Sequence, residues 1–388
     1  SYNTAVGYAA GLAVTTGVQN TLIGGLAGDA LTDADYNTAV GYSALTSDTL
    51  GSRSVAMGNG SLATQNFTTS TNAYNVALGY DAGNDLTTGV NNTLIGGLTG
   101  DALTDADHNL AVGQFALSSD TLGSRTVALG NNALSTQNFT TATDTYNVAV
   151  GYNAGTAVTT GTLNTLIGGL AGDALTDAEA NVAIGYGALG AEDQASANVA
   201  IGTNTLANQN AGTSESYNTG VGHNAGRQVT TGVKNTLIGG LAGDALTTNG
   251  LNVVVGYGAL STEDTGSRNV AIGVSALSTQ NADTTNYNVA VGYNAGSAVT
   301  TGIQNTLIGG LAGDALTDAD ANVVVGRGAL TTDTLGSQTT AIGSRTLNAQ
   351  NFTTATNTYN TAVGADAGLS VTTGVRNTIV GGIAGDAL

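Results

Sequence analysis

Apolar and polar residues alternate within a short motif that recurs along this whole chain. The motif consists of Asn, a β-branched or aliphatic residue, a small or aliphatic residue, a large aliphatic residue and Gly, as at 147–151 and 269–273. Alternation with a period of two, many β-branched residues and a closing glycine are typical of short strands. No segment has the i, i+3, i+4 apolar spacing of a long helix. The pattern therefore predicts an all-β protein built from very short strands.

The closing glycine, which we call the ladder glycine, occurs 22 times along the chain. It is evenly spaced through a run of four coils, at Gly7, Gly24, Gly41 and Gly58, and a longer interval then leads to the next run, at Gly79. The spacing corresponds to a coil of about 17 residues and a four-coil super-repeat of about 72 residues, and such a fixed period indicates one quasi-linear array.

We therefore predict an elongated parallel β-solenoid, or β-roll, of about 22 coils, which at the sheet spacing would extend about 105 Å. The whole chain would form a single repeat array without separate domains. The array spans 1–388, with super-repeats at about 1–72, 73–144, 145–215, 216–285 and 286–357 and a partial one at 358–388.

Two other positions of the coil are restricted in residue type. Asn opens 19 of the 22 motifs, as at Asn3, Asn20 and Asn37, and the exceptions are Ser54, Thr126 and Thr339. An Asn amide can bond both its own backbone and the next coil, so we predict a structural Asn ladder beside the glycine ladder. The third residue after the ladder glycine is Ala in 18 coils and Ser or Thr in the other four. This small residue would fit either a narrow interior or the close approach of a neighbouring chain.

Composition and charge restrict the function. The chain has 58 Gly, no Cys, no Pro and no Trp, so it offers no disulfide, no zinc finger and no thiol nucleophile. With 41% hydrophobic residues, it has enough apolar side chain to fold. A net charge of −19 makes nucleic acid and anionic lipid poor partners, and no apolar run is long enough for membrane insertion. Since the chain opens at Ser1 inside a coil, we expect it to be part of something longer.

Candidate chemistry is sparse. The Gly-Gly-Leu-Ala-Gly-Asp stretch at 24–29 is similar to calcium-binding turns, and Asp29, Asp33 and Asp35 could together bind calcium. The stretch returns only every fourth coil, however, so a solvated acidic turn is the alternative. His108 and His223 stand where other super-repeats have different residues, so neither has the pattern of a catalytic group. We expect no enzymatic activity and no other cofactor.

Every fourth coil is longer than the others, and we call it the extended coil. Inserted residues of repeat proteins often form a binding face, so these coils are candidate recognition loops for a glycan or a protein. Alternatively, their phenylalanines cover the interior of a bulging coil. The aromatic residues concerned are Phe67 and Tyr74, Phe139 and Tyr146, and Phe352 and Tyr359.

The motifs at 198–202 and 268–276 resemble the head repeats of trimeric autotransporter adhesins (YadA-like). Those at 3–8 and 37–42 are similar to repeats of phage tail-fibre shafts. The resemblance implies a left-handed β-roll that forms a homotrimer, located outside the cell, on the cell surface or on a virion. It also implies that the partners are other copies of the chain and a host-surface glycan or protein.

Repeat and resemblance together predict a structural fibre or shaft segment of a surface appendage used for adhesion or host recognition. The first alternative is an extracellular filament subunit whose coils stack end to end, because neither end of the array carries a polar capping repeat. A carbohydrate-active tailspike is a further alternative. It would require a cluster of non-repeating carboxylates on one face, and the sequence contains none.

Overall fold

The computed structural model describes residues 2–212 and 215–387, which belong to two compact units, Ser1–Ser196 and Ala197–Leu388. Each unit contains 11 of the ladder glycines and 11 of the longer strands, one for each coil. The described residues form strands, turns and bends, and none of them is helical. The predicted all-β parallel solenoid, with one strand at each recurrence of the motif, is therefore confirmed.

The longer strands of the first unit pair in parallel with one another, each with its neighbours along the chain. They are Thr4–Val6, Thr21–Ile23, Thr38–Val40, Val55–Met57, Val76–Leu78, Thr93–Ile95, Leu110–Val112, Val127–Leu129, Val148–Val150, Thr165–Ile167 and Val182–Ile184. Two short parallel pairs accompany them, Gly51–Ser52 with Thr71–Asn72 and Gly123–Ser124 with Thr143–Asp144.

The second unit repeats this arrangement. Its longer strands are Val199–Ile201, Thr219–Val221, Thr236–Ile238, Val253–Val255, Val270–Ile272, Val289–Val291, Thr306–Ile308, Val323–Val325, Thr340–Ile342, Thr361–Val363 and Thr378–Val380. Gly336–Ser337 pairs with Thr356–Asn357, and Ser267 forms a bridge with Thr285.

Strand register explains how a coil of variable length fits a uniform stack. Val148 pairs with Thr165, the residue at the same point of the next coil. Across the longer interval of the extended coil, Val55 pairs with Val76 in the same parallel register. The additional residues therefore leave the main ladder unchanged and are accommodated in the turns, where Thr71–Asn72 forms its own short pair with the preceding coil.

The ladder glycines permit the close approach of successive coils. Gly168 has a φ of +132°, and a Cβ at this position would lie 2.6 Å from the carbonyl oxygen of Gly185, the next ladder glycine. A backbone oxygen cannot move aside as a flexible side chain can. The steric conflict and the glycine-specific φ together account for glycine at this point of the coil.

Buried Asn side chains connect each coil to the next. Asn164 donates through Nδ2 to the carbonyl of Ala178 at 2.8 Å, and its Oδ1 accepts from the backbone N–H of Asn181 at 3.0 Å. Its own N–H donates to Oδ1 of Asn147 at 2.9 Å. Each side-chain amide thus satisfies two buried backbone groups of the following coil, which water cannot reach.

The interior of each unit is filled mainly by the middle residue of the strand and by the small residue three positions after the ladder glycine. Ala39 and Ala44 are examples, and both are fully buried. The small residue packs inside its own solenoid, so the alternative in which it contacts a neighbouring chain is wrong.

The residue after this small one also contributes to the interior. In two of four coils it is glycine, as at Gly28, where a Cβ would lie 2.8 Å from side-chain atoms of both Leu22 and Leu31. In the other two coils it is leucine, as at Leu45 and Leu62, both fully buried. Large side chains thus reach the interior from different points of the coil in different members of the super-repeat.

Candidate interaction surface

The aromatic residues of the extended coils lie in two different environments. Phe67, Phe139 and Phe352 are only 5%, 6% and 7% exposed, whereas the tyrosines that follow them, Tyr74, Tyr146 and Tyr359, are 51 to 52% exposed. The phenylalanines cover the interior, as the second of the two hypotheses stated. Of the candidate recognition residues, only the tyrosines present their rings to solvent.

A buried carboxylate holds the extended coil in place. Asp48 accepts hydrogen bonds from the backbone N–H groups of Gly51 at 3.0 Å and Phe67 at 3.1 Å, and from Nε2 of Gln65 at 2.6 Å. The Oε1 atom of Gln65 accepts in turn from Nδ2 of Asn75 at 2.9 Å. Burial raises the pKa of the Asp48 carboxyl above its usual value, and the hydrogen bonds to the carboxylate partly oppose the shift.

The network explains the three exceptions to the Asn ladder. In these coils the hydroxyl of the ladder residue accepts a hydrogen bond from Nε2 of the Gln in the same coil, at 3.1 to 3.2 Å. The ladder residues concerned are Ser54, Thr126 and Thr339. In these three coils a hydroxyl that partners the Gln amide thus takes the place of the ladder Asn. Sequence reasoning missed this network, although the replacement of Asn in these three coils was its visible signal.

Two versions of the network occur in the chain. Where the buried acid is Asp, as in Asp120, the following extended coil carries Phe and a hydroxyl ladder residue, here Phe139 and Thr126. Where it is Glu, as in Glu263, the extended coil carries Ala282 and keeps the ladder Asn. Glu263 accepts from the N–H of Ala282 at 3.3 Å. Both acids thus bond the backbone N–H at the same point of the extended coil, whether that residue is Phe or Ala.

The acidic turns are tied to neighbouring coils. Asp33 accepts from the Thr16 hydroxyl at 2.5 Å, Asp35 from the N–H of Val18 at 2.8 Å, and Asp29 from the Thr46 hydroxyl at 2.5 Å. These carboxylates therefore already have protein donors. Within the described residues, no group of three or more His, Asp or Glu side chains is arranged to hold a metal ion. Calcium binding at these turns stays a prediction.

The two histidines lie in different units. Nε2 of His108 is 3.5 Å from Nδ2 of Asn91 in the preceding coil, and this contact is exposed. His223 occupies the position directly after a ladder glycine, where Tyr152 and Tyr293 stand in other super-repeats. Both histidines are thus members of the repeat pattern at positions that other super-repeats fill with different residues.

The outer face of the strands is a continuous exposed surface of each unit. Numbered from the ladder glycine, positions −4 and −2 point inward, and positions −5, −3, −1 and +1 point outward. We call the outward positions of all coils the sheet face. In one coil they are Tyr146, Val148, Val150 and Tyr152. Position −1 is Val, Ile, Leu or Met in all 22 coils, and these side chains are partly exposed, as with Ile167 at 37%.

Within the described residues, no helix is long and apolar enough to cross a membrane. Comparison of the chain with known protein families and with curated proteins finds no match.

Proposed function

We propose that this chain is a structural fibre or shaft segment of an extracellular, cell-surface or virion appendage used for adhesion or host recognition. The observation that carries the proposal is repetition without specialised chemistry. Most coils in each unit have the same strand, the same glycine contact and the same Asn bonds, as between Asn164 and Asn181. Such an array sets a distance and presents a surface, and it needs no converging catalytic groups.

In this proposal the chain works as a homotrimer, as the resembling adhesin and tail-fibre repeats imply. A chain that spaces two parts of an appendage must resist bending, and association of several copies side by side adds stiffness. The exposed tyrosines of the extended coils, Tyr74, Tyr146 and Tyr359, are the proposed contacts to a host glycan or protein.

The spacer role is tested by changing the number of coils. Deletion of 73–144 removes four coils and joins residue 72 to residue 145, so the extended coil at the junction keeps its native length. We expect unchanged β-type circular dichroism and a maximum dimension in small-angle X-ray scattering that is shorter by about 19 Å. Duplication of the same segment should lengthen the particle equally. A folded deletion variant of unchanged dimension would contradict the spacer role.

A further inference from the structure

Charged residues are distributed unevenly between the sheet face and the rest of the chain. None of the 27 Asp and Glu residues occupies positions −5, −3, −1 or +1 of any coil. In a chain of net charge −19, the sheet face is thus free of carboxylates. Six of the eight Lys and Arg residues do occupy these positions, namely Arg53, Arg125, Lys234, Arg268, Arg327 and Arg376.

Aromatic residues show the same preference. All 14 tyrosines occupy positions −5 or +1, at the two margins of the sheet face, and each is at least 47% exposed. Between the margins run the aliphatic residues of position −1 and the Thr, Val or Leu of position −3. Enrichment in aromatic residues and Arg with depletion of Asp and Glu is the composition of protein–protein interface cores.

We infer that the sheet face is the surface through which copies of this chain associate side by side. The inference rests on the proposed function, which requires association, and it identifies the residues responsible. Around the three-fold axis of the proposed homotrimer, each copy buries the aliphatic centre of its sheet face, positions −3 and −1, against the other two copies. The tyrosines of positions −5 and +1 lie at the rim of this contact, where Tyr74, Tyr146 and Tyr359 stay accessible to a host partner.

The area of the face is sufficient for a stable contact. Within one unit, the face is 11 coils long at about 4.8 Å for each coil. It is seven residues wide, from position −5 to +1, or six steps of about 3.3 Å, which gives about 50 by 20 Å. This corresponds to about 1,000 Å² for each unit, compared with about 800 Å² for each partner in a stable interface.

Charge selects this face over the others. Two copies that meet through their acidic turns bring groups such as Asp33 and Asp35 together, and this like-charge contact opposes association. Contact through the sheet faces brings together positions that carry no carboxylate, and acids beside the face are bound by its own side chains, Asp144 by Arg125 and Glu215 by the Tyr217 hydroxyl. The guanidinium of Arg53 lies over the rings of Tyr36 and Tyr74, at 4.9 and 5.8 Å, so a cation of the face is already partnered.

A glycan fits this face less well than a second copy does. The centre of the face offers aliphatic side chains, and the backbone groups of its strands are used in pairing between coils, as between Val148 and Thr165. A glycan needs convergent polar groups for its hydroxyls. The sheet face of a second copy is equally aliphatic and needs no such polar groups.

The test introduces one charge on the face and the same charge elsewhere. Ile167→Lys places an ammonium in the centre of the face of the first unit, and Thr160→Lys places one on an exposed turn of the preceding coil. In sedimentation equilibrium we expect Ile167→Lys to weaken association about tenfold or more. Thr160→Lys should associate as the wild type does.

Cross-linking of cysteine variants provides a second measurement that does not depend on correct folding of the lysine variant. The chain has no cysteine, so Ile167→Cys and Thr160→Cys each carry a single thiol. A short bis-maleimide should join copies of Ile167→Cys and leave Thr160→Cys unjoined.

The outcomes separate this inference from the proposed function. An associated wild type with neither cross-linking at position 167 nor weakening by lysine would overturn the inference and leave association itself standing. A monomeric wild type would overturn both, and a change in its tyrosine fluorescence on adding a neutral oligosaccharide would assign the face to a glycan.

Discussion

The contact between successive ladder glycines can be tested with two neighbouring glycines of the second unit. A Cβ on Gly239 would lie 2.6 Å from the carbonyl oxygen of Gly256, at a φ of +132°. A Cβ on Gly258, at a φ of +60°, would meet no atom within 4 Å. Gly239→Ala therefore adds a backbone clash to an unfavourable φ, whereas Gly258→Ala adds only a left-handed alanine, which costs about 1 kcal/mol.

The expected loss for Gly239→Ala follows from the geometry. To relieve the clash the two coils must separate, which weakens the bonds that join them, from Gly256 N–H to Ile238 at 2.8 Å and from Gly258 N–H to Gly240 at 3.0 Å. With about 1 kcal/mol for each bond and about 2 kcal/mol for the backbone conformation, we expect about 4 kcal/mol of destabilisation.

Urea unfolding followed by circular dichroism gives the free energy of unfolding of both variants. Because coils of a solenoid unfold semi-independently, hydrogen exchange at Val253–Val255 should be measured as well. We expect lost protection there for Gly239→Ala and near wild-type protection for Gly258→Ala. Equal destabilisation of the two variants would refute it, because glycine would then be needed only for its φ.

Three further predictions concern buried polar groups. Asn164→Ala should lower the free energy of unfolding by about 3 kcal/mol because it leaves two backbone partners unsatisfied, and a loss below about 1 kcal/mol in urea unfolding would contradict the Asn ladder. Asp120→Glu and Phe139→Ala should each lower the free energy of unfolding. The double variant has the Glu and Ala combination of the other extended coils, so a double-mutant cycle should show a loss smaller than the sum of the two single losses by about 1 kcal/mol or more. Asp314→Asn should stabilise at pH 7, because burial raises the pKa of this carboxyl above the 3.8 of the unfolded chain. The Asp314 carboxyl contributes most to stability below pH 3.8 and loses that contribution as pH rises through its folded pKa. The stability advantage of Asn should therefore disappear near pH 3. A stability difference that does not depend on pH would contradict this cause.

The repeat predicts the architecture well because each coil must satisfy the same contacts as its neighbours. A glycine recurring 22 times and a two-residue alternation indicate parallel strands in register, and the structure has them. The environment of the extended coil was harder to predict. Whether Phe67 faces inward depends on the backbone bonds that Asp48 makes, and these join residues 19 positions apart in different coils. Such contacts leave no local periodicity.

The sheet face could have been found from the sequence once the coils were aligned. The sequence marks this face by the lack of Asp and Glu at four positions of the coil. A search for chemically active residues does not detect such a lack. Only the burial pattern shows that these four positions share one side, with Asn147 and Ala149 inside and Val148 and Val150 outside.

The solution mass of the wild-type chain decides whether copies of the chain associate. Sedimentation equilibrium should be measured over a wide range of protein concentration at physiological salt, where charge repulsion between chains of −19 is screened. The proposed homotrimer predicts a mass three times the 37.9 kDa of the chain. A mass of 37.9 kDa at every concentration would contradict it.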